Sequence, residues 1–106
     1  MNFIGIDVGT SGTKVVLTDE YGYVKKTCSS EYPLYQPYNG WAQQDPGDWW
    51  NAAVKCLKTM CEGIDKVDAV GLTGQMHGLV MLDENNSVIR PAIIWCDQRT
   101  AAECET

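Results

Sequence analysis

Residues Ile4 to Leu17 read Ile-Gly-Ile-Asp-Val-Gly-Thr-Ser-Gly-Thr-Lys-Val-Val-Leu, and no other stretch restricts the fold so tightly. Two apolar, β-branched runs flank a four-residue turn, Gly9 to Gly12, with a glycine at each end, which is the pattern of a buried hairpin. Glycine can take φ > 0 at both ends, so that backbone N–H groups converge on one point, and the hydroxyls of Thr10, Ser11 and Thr13 are long enough to reach it. Such a turn can cradle phosphate. Just ahead of it, Asp7 ends a strand of Ile, Gly and Val, where a buried carboxylate is costly without a partner. A Mg²⁺ ion carried in with a nucleotide is a suitable partner. The alternative is a tight turn between two core strands. The stretch contains neither G-x-x-x-x-G-K-[ST] nor G-x-G-x-x-G, so it is not a Walker A loop or a dinucleotide fingerprint.

A chain of 106 residues with 44% hydrophobic and 21% charged residues suits one folded domain with a modest core. Its net charge of -6, with no Lys/Arg cluster, argues against a nucleic-acid partner. Acidity does not exclude ATP, because backbone dipoles and the metal govern a phosphate site locally. Five cysteines, an odd number with no C-x-x-C pair, read as reduced thiols and point to a cytoplasmic protein. The start lacks a basic n-region, and no window is apolar enough to span a bilayer, so neither a signal peptide nor a membrane partner is expected.

Beyond the hairpin, Tyr23 to Tyr32 reads as a third strand, and Pro33 to Gln44 as an ordered loop whose Tyr35, Tyr38 and Trp41 serve packing. Asp45, Pro46 and Asp48 announce a helix by cap, first position and first-turn acid. Its expected apolar face is Trp49, Ala53, Val54, Leu57, Met60, Cys61 and Ile64, with Gly63 as the stop. Val67 to Leu72 is an apolar run without alternation, as in a strand covered on both faces. It leads into Thr73-Gly74-Gln75-Met76-His77-Gly78, a Gly-bracketed loop at the carboxyl end of a strand, where open α/β sheets bind ligands. Leu79 to Leu82 and Val88 to Trp95 read as strands around an Asp83 to Ser87 turn, and Asp97 as the cap of a helix through Ala101 and Glu103.

Four blocks together resemble the N-terminal part of the FGGY carbohydrate kinases. They are Ile4 to Lys14; Trp41-Ala42-Gln43-Gln44-Asp45-Pro46 with Trp49-Trp50; Gly71 to Gly78; and Arg90 to Arg99. The first is shared across the wider actin, Hsp70 and sugar kinase superfamily. The Gln-Met-His-Gly element discriminates, since glycerol kinases carry an Arg-Glu pair where this chain has Met76 and His77. The resemblance implies an α/β fold of the ribonuclease H-like, actin-like ATPase type, a mixed sheet with helices, with residues 1–106 as an incomplete first domain. It implies ATP and Mg²⁺ as cofactors and transfer of the γ-phosphoryl group to a ketopentose, foremost D-xylulose. Ribulose, gluconate or glycerol are alternatives, as is a non-catalytic nucleotide-binding module.

By the same resemblance Asp7 positions the metal, Gly9, Thr10, Ser11, Gly12, Thr13 and Lys14 hold phosphate, and Gln75, Met76 and His77 line the sugar pocket. Asp97 and Arg99 match a Trp-x-Asp-x-Arg element near that pocket. The family's base lies downstream, so no residue here is assigned that role. The expected partners are the sugar, ATP, the remainder of the parent chain and a further copy. Each assignment has a structural alternative: a satisfied histidine at 77, a core methionine at 76, a helix cap at Asp97 and a solvated lysine at 14.

Overall fold

The computed structural model describes residues 1–106. Strands β1 (Phe3–Val8), β2 (Gly12–Thr18) and β3 (Val24–Glu31) form consecutive antiparallel neighbours, and β5 (Ala69–Gly74) adds in parallel to the other side of β1. The order is β3-β2-β1-β5. A two-residue strand, β4 (Gln43–Gln44), pairs with β6 (Ala92–Ile93) in a separate small ladder. The stretch Pro33 to Gln44 therefore ends in a strand that its sequence, rich in turn residues, does not announce.

Alternation along β2 sets the two faces of the sheet. Thr13, Val15 and Leu17 point to one side and are buried, while Lys14 and Val16 point to the other. Helix α1 (Pro46–Cys61) closes the buried side by lying over β2 and β3. The core is Ile4, Val15, Leu17, Cys56 and Met60, and burying side chains such as Leu17 and Met60 contributes about 1.5–3 kcal/mol each.

The start of α1 follows its local chemistry. Asp45 caps it by accepting from the Gly47 N–H at 2.8 Å, with Pro46 in the first turn, and Gly63 follows the end with φ 77°. Its inward face keeps Met60, Leu57 and Ile64 of the expected one but is rotated toward Ala52 and Cys56. Ala52, Cys56 and Met60, an i, i+4 row, are the buried positions, and Cys61 is exposed. Small side chains at 52 and 56 let the helix approach the sheet, while Trp49 stays at the flank, where its indole N–H finds an acceptor. Burial pushes the Cys56 thiol up to about 11, and all five cysteines are unpaired.

Two further expectations change. β5 is not covered on both faces: Val70 is 59% and Leu72 75% exposed, because β5 is an edge strand and α1 lies over β2 and β3 instead. Of the expected strands around the Asp83 turn, Val88 to Trp95 keeps only the two-residue β6, and the pairing across the turn reduces to isolated bridges, Leu79 with Ile93 and Leu82 with Val88, since a two-stranded ribbon without a packed face is poorly supported. The turn itself forms, with Asp83 Oδ1 accepting from the N–H groups of Asn85 and Ser87. No helix is long and apolar enough to cross a membrane.

Candidate functional site

The site grows from the β1–β2 turn. Its closing bond runs from the Gly9 N–H to the Gly12 carbonyl at 3.0 Å. Neither glycine takes positive φ, contrary to the expectation for a convergent turn. Gly12 is required for another reason. A Cβ there would stand 2.7 Å from the Ser30 carbonyl oxygen, so the close approach of β3 excludes any side chain. Thr13 also departs from its expected role. It is 1% exposed and its hydroxyl pairs with that of Tyr32 at 3.3 Å, because alternation turns it toward α1 with Val15 and Leu17. Tyr32 in turn donates to the Gly9 carbonyl at 2.6 Å, and burial raises its hydroxyl above the usual phenol value, keeping it a donor. The hydroxyls left near the turn are those of Thr10 and Ser11.

On the face away from α1, the register brings four polar residues abreast: Ser29 on β3, Lys14 on β2, Asp7 on β1 and Thr73 on β5. Asp7 and Lys14 are exposed and form no ion pair with each other. With Thr73 they line a depression of about 420 Å³ whose floor includes Gly5 and Gly71. Three or more His, Cys, Asp or Glu side chains do not gather anywhere, so no all-protein metal cage exists. A single free carboxylate beside the Gly9–Gly12 turn suits Mg²⁺, which keeps several waters and is held by one or two carboxylates together with substrate phosphates.

The loop after β5 borders this depression. Gln75, Met76 and His77 line a cleft of about 590 Å³ with Val8 and Trp49, and Leu72 and Thr73 belong to both cavities. Gln75 is anchored through its backbone N–H to the Val8 carbonyl at 2.8 Å. His77 has φ 60°, an uncommon conformation for a residue with a Cβ, and both it and Met76 stand open to solvent at the cleft. Met76 therefore fills no core.

Asp97 and Arg99 lie elsewhere. Neither lines the cleft. Asp97 does not cap the short helix α2 (Ala101–Cys104), which begins after Thr100 without a side-chain cap. Its Oδ2 accepts from the Ala42 N–H at 2.6 Å and from Arg99 Nη2 at 2.7 Å and Nε at 2.9 Å, and its Oδ1 from the Arg99 N–H at 2.8 Å. The Arg99 guanidinium beside it holds the Asp97 carboxyl down at about 2. Arg99 also donates to Gln43 Oε1 at 3.1 Å and stacks 3.7 Å over the Trp41 ring. The pair is a buried clamp on residues 41 to 43, tying the Trp41 block to the Trp95 block.

Two residues without an expected role reach the β1–β2 turn. Gln44 donates to the Thr10 carbonyl, and the Trp95 indole N–H donates to the Thr10 hydroxyl at 2.9 Å. Both lie within the quoted motifs, but their partners are 34 and 85 residues away.

Residues 2–106 match the N-terminal domain of the FGGY family of carbohydrate kinases. The chain belongs to the FGGY family. It is 42% identical over 104 residues to the xylulose kinase of Escherichia coli (strain K12), an alignment that covers 96% of this chain and 22% of that protein. Among solved structures, this FGGY chain superposes on the ligand-bound xylulose kinase from Lactobacillus acidophilus with a TM-score of 0.93 at 32% identity, covering 98% of this chain and 21% of that one. The gluconate kinase from the same organism gives a TM-score of 0.90 at 30% identity, covering 99% and 22%. The fold is thus the actin-like ATPase fold of FGGY sugar kinases. The chain spans about a fifth of the length of these relatives.

Proposed function

We propose that this chain is the N-terminal segment of a cytoplasmic, ATP-dependent sugar kinase whose acceptor is D-xylulose and whose product is D-xylulose 5-phosphate. The observation that carries the reading is the shared wall at Leu72 and Thr73, which sets an Asp7–Lys14 depression beside the Gln75–His77 cleft. Donor phosphate and acceptor hydroxyl must meet in line, and two adjoining cavities that share a wall provide for that.

Asp7 would hold the Mg²⁺ that accompanies ATP, which supplies charge neutralisation at the transferring phosphoryl group. Lys14 and the Thr10 and Ser11 hydroxyls contribute positive charge and donors on the same side. Gln75, Met76 and His77 orient the sugar, with the methionine against its carbon face and polar groups toward its hydroxyls. The likeness to a gluconate kinase favours that acid as the second acceptor to test.

The test is ADP release by a full-length kinase carrying this segment, with ATP, Mg²⁺ and a panel of D-xylulose, L-ribulose, gluconate and glycerol. Turnover strongest with D-xylulose is expected. Preference for gluconate replaces the acceptor, and ATP turnover indifferent to every sugar removes the kinase reading.

A further inference from the structure

The residue that ties the two cavities together is Gln44, which is 0% exposed and makes all its hydrogen bonds to side chains or backbone of other elements. Its Nε2 donates to the Thr10 carbonyl at 2.5 Å. Its Oε1 accepts from Trp49 Nε1 at 3.0 Å and from Gln75 Nε2 at 3.0 Å. One partner is an acceptor only and another a donor only, so the orientation of the Gln44 amide is determined: oxygen toward the indole, nitrogen toward the carbonyl.

That orientation propagates. Because Gln44 presents oxygen to Gln75, Gln75 must present its NH₂ group there, and the same NH₂ lies 3.4 Å from the Gly9 carbonyl. Gln75 Oε1 is then left as an acceptor, facing the Thr10 hydroxyl at 3.5 Å. On its other side the Thr10 hydroxyl accepts from Trp95, so its own proton is directed at Gln75 Oε1. Three elements, the phosphate turn, α1 and the loop after β5, are thereby locked in one polarity by a single buried amide.

We propose that Gln44 is a positioning residue for phosphoryl transfer: it fixes the Thr10 backbone and the Gln75 amide together, so that the Thr10 hydroxyl on the donor side and the Gln75 oxygen on the sugar side, joined at 3.5 Å, are held in register, the oxygen keeping a second lone pair for the sugar. This rests on the kinase reading of the same two cavities. Gln44 touches neither ligand, and its influence passes through Thr10 and Gln75. Binding of each substrate alone can tolerate a small shift of one loop, whereas transfer between them cannot.

The experiment uses the full-length kinase carrying this segment and its Gln44→Glu variant, a near-isostere that keeps the acceptor for Trp49 and Gln75 but sets a carboxylate oxygen against the Thr10 carbonyl. Expected is a fall in kcat of about tenfold or more with sugar KM within about threefold. The indole N–H resonance of Trp95, assigned with Trp95→Phe, should also shift, since Trp95 hydrogen-bonds Thr10 and not Gln44. A kcat within about twofold of the parent, or an unmoved Trp95 resonance, overturns the proposal. Should Gln44→Glu fail to fold, Trp49→Phe removes only the donor that orients the amide, and must still shift the Trp95 resonance. Should the parent turn over no sugar, the kinase reading fails separately. An unmoved Trp95 resonance then overturns the link through Gln44, and a shifted one supports that link as a phosphate-turn brace.

Discussion

Asp7 and Lys14 stand directly opposite each other across β1 and β2, yet no ion pair joins them. Opposed charges on an antiparallel pair ordinarily contribute only a few tenths of a kcal/mol to about 1 kcal/mol, so leaving them apart costs the fold little. Both remain available to a ligand. In a full-length kinase carrying this segment, Asp7→Asn is expected to lower kcat by about a hundredfold or more, the scale on which loss of one transition-state group is felt. The sugar dissociation constant, measured calorimetrically without nucleotide, should change less than about threefold, because Asp7 lies on the far side of Thr73 from the Gln75 cleft. Equal losses in both would count against Asp7 as the residue that holds the metal.

Two threonines three residues apart have separate duties. Thr10 faces Trp95 and Gln75, whereas Thr13 is sealed against Tyr32. Thr10→Val should therefore reduce phosphoryl transfer with little change in unfolding free energy. Thr13→Val should do the reverse, costing about 1 kcal/mol in urea unfolding through the lost Tyr32 bond while kcat holds within about twofold. A kcat loss at Thr13 as large as that at Thr10 would return Thr13 to the cradle.

The contrast between these threonines shows what the amino-acid sequence could reveal. Strand alternation from Val15 and Leu17 already assigns Thr13 to the buried face, and the hydroxyl-rich turn obscured that simpler signal. The Asp45 cap and the hairpin were legible because their chemistry is complete within a few residues. The Asp83 turn was legible for the same reason, but the strands expected beside it needed a packed face that no local pattern encodes. Gln44 is invisible in this sense. It sits in a motif, but its value lies in Thr10 and Gln75, which are 34 and 31 residues away. Asp97 had a persuasive local reading as a cap, and lost it to a stronger pairing with Arg99 and the Ala42 N–H, 55 residues distant.

Met76 projects into solvent at the mouth of the cleft, so its replacement tests the acceptor side without disturbing a core. Met76→Arg is expected to weaken sugar binding by about tenfold or more, equivalent to roughly 1.4 kcal/mol, as a long charged side chain occupies the cleft. Nucleotide affinity measured separately should stay within about twofold. Unchanged sugar affinity would remove Met76 from the pocket.

The Asp97–Arg99 clamp carries a pH signature. A carboxyl held at about 2 in the folded chain, against an ordinary value of 3.8, binds its proton more weakly folded than unfolded. Its contribution to stability is therefore complete above the unfolded value and is lost as pH falls through about 2. Urea midpoints should hold above about pH 5 as far as this pair is concerned, then decline toward pH 2, and Asp97→Asn should flatten that limb. Arg99→Ala leaves the carboxylate buried without its partner, a change expected to cost about 3–5 kcal/mol. Because neither residue lines the cleft, a milder variant, Arg99→Lys, should lower the urea midpoint while sugar KM in the full-length enzyme stays within about twofold. A large rise in KM without loss of stability would instead place Arg99 on the sugar, as its Trp-x-Asp-x-Arg context first suggested.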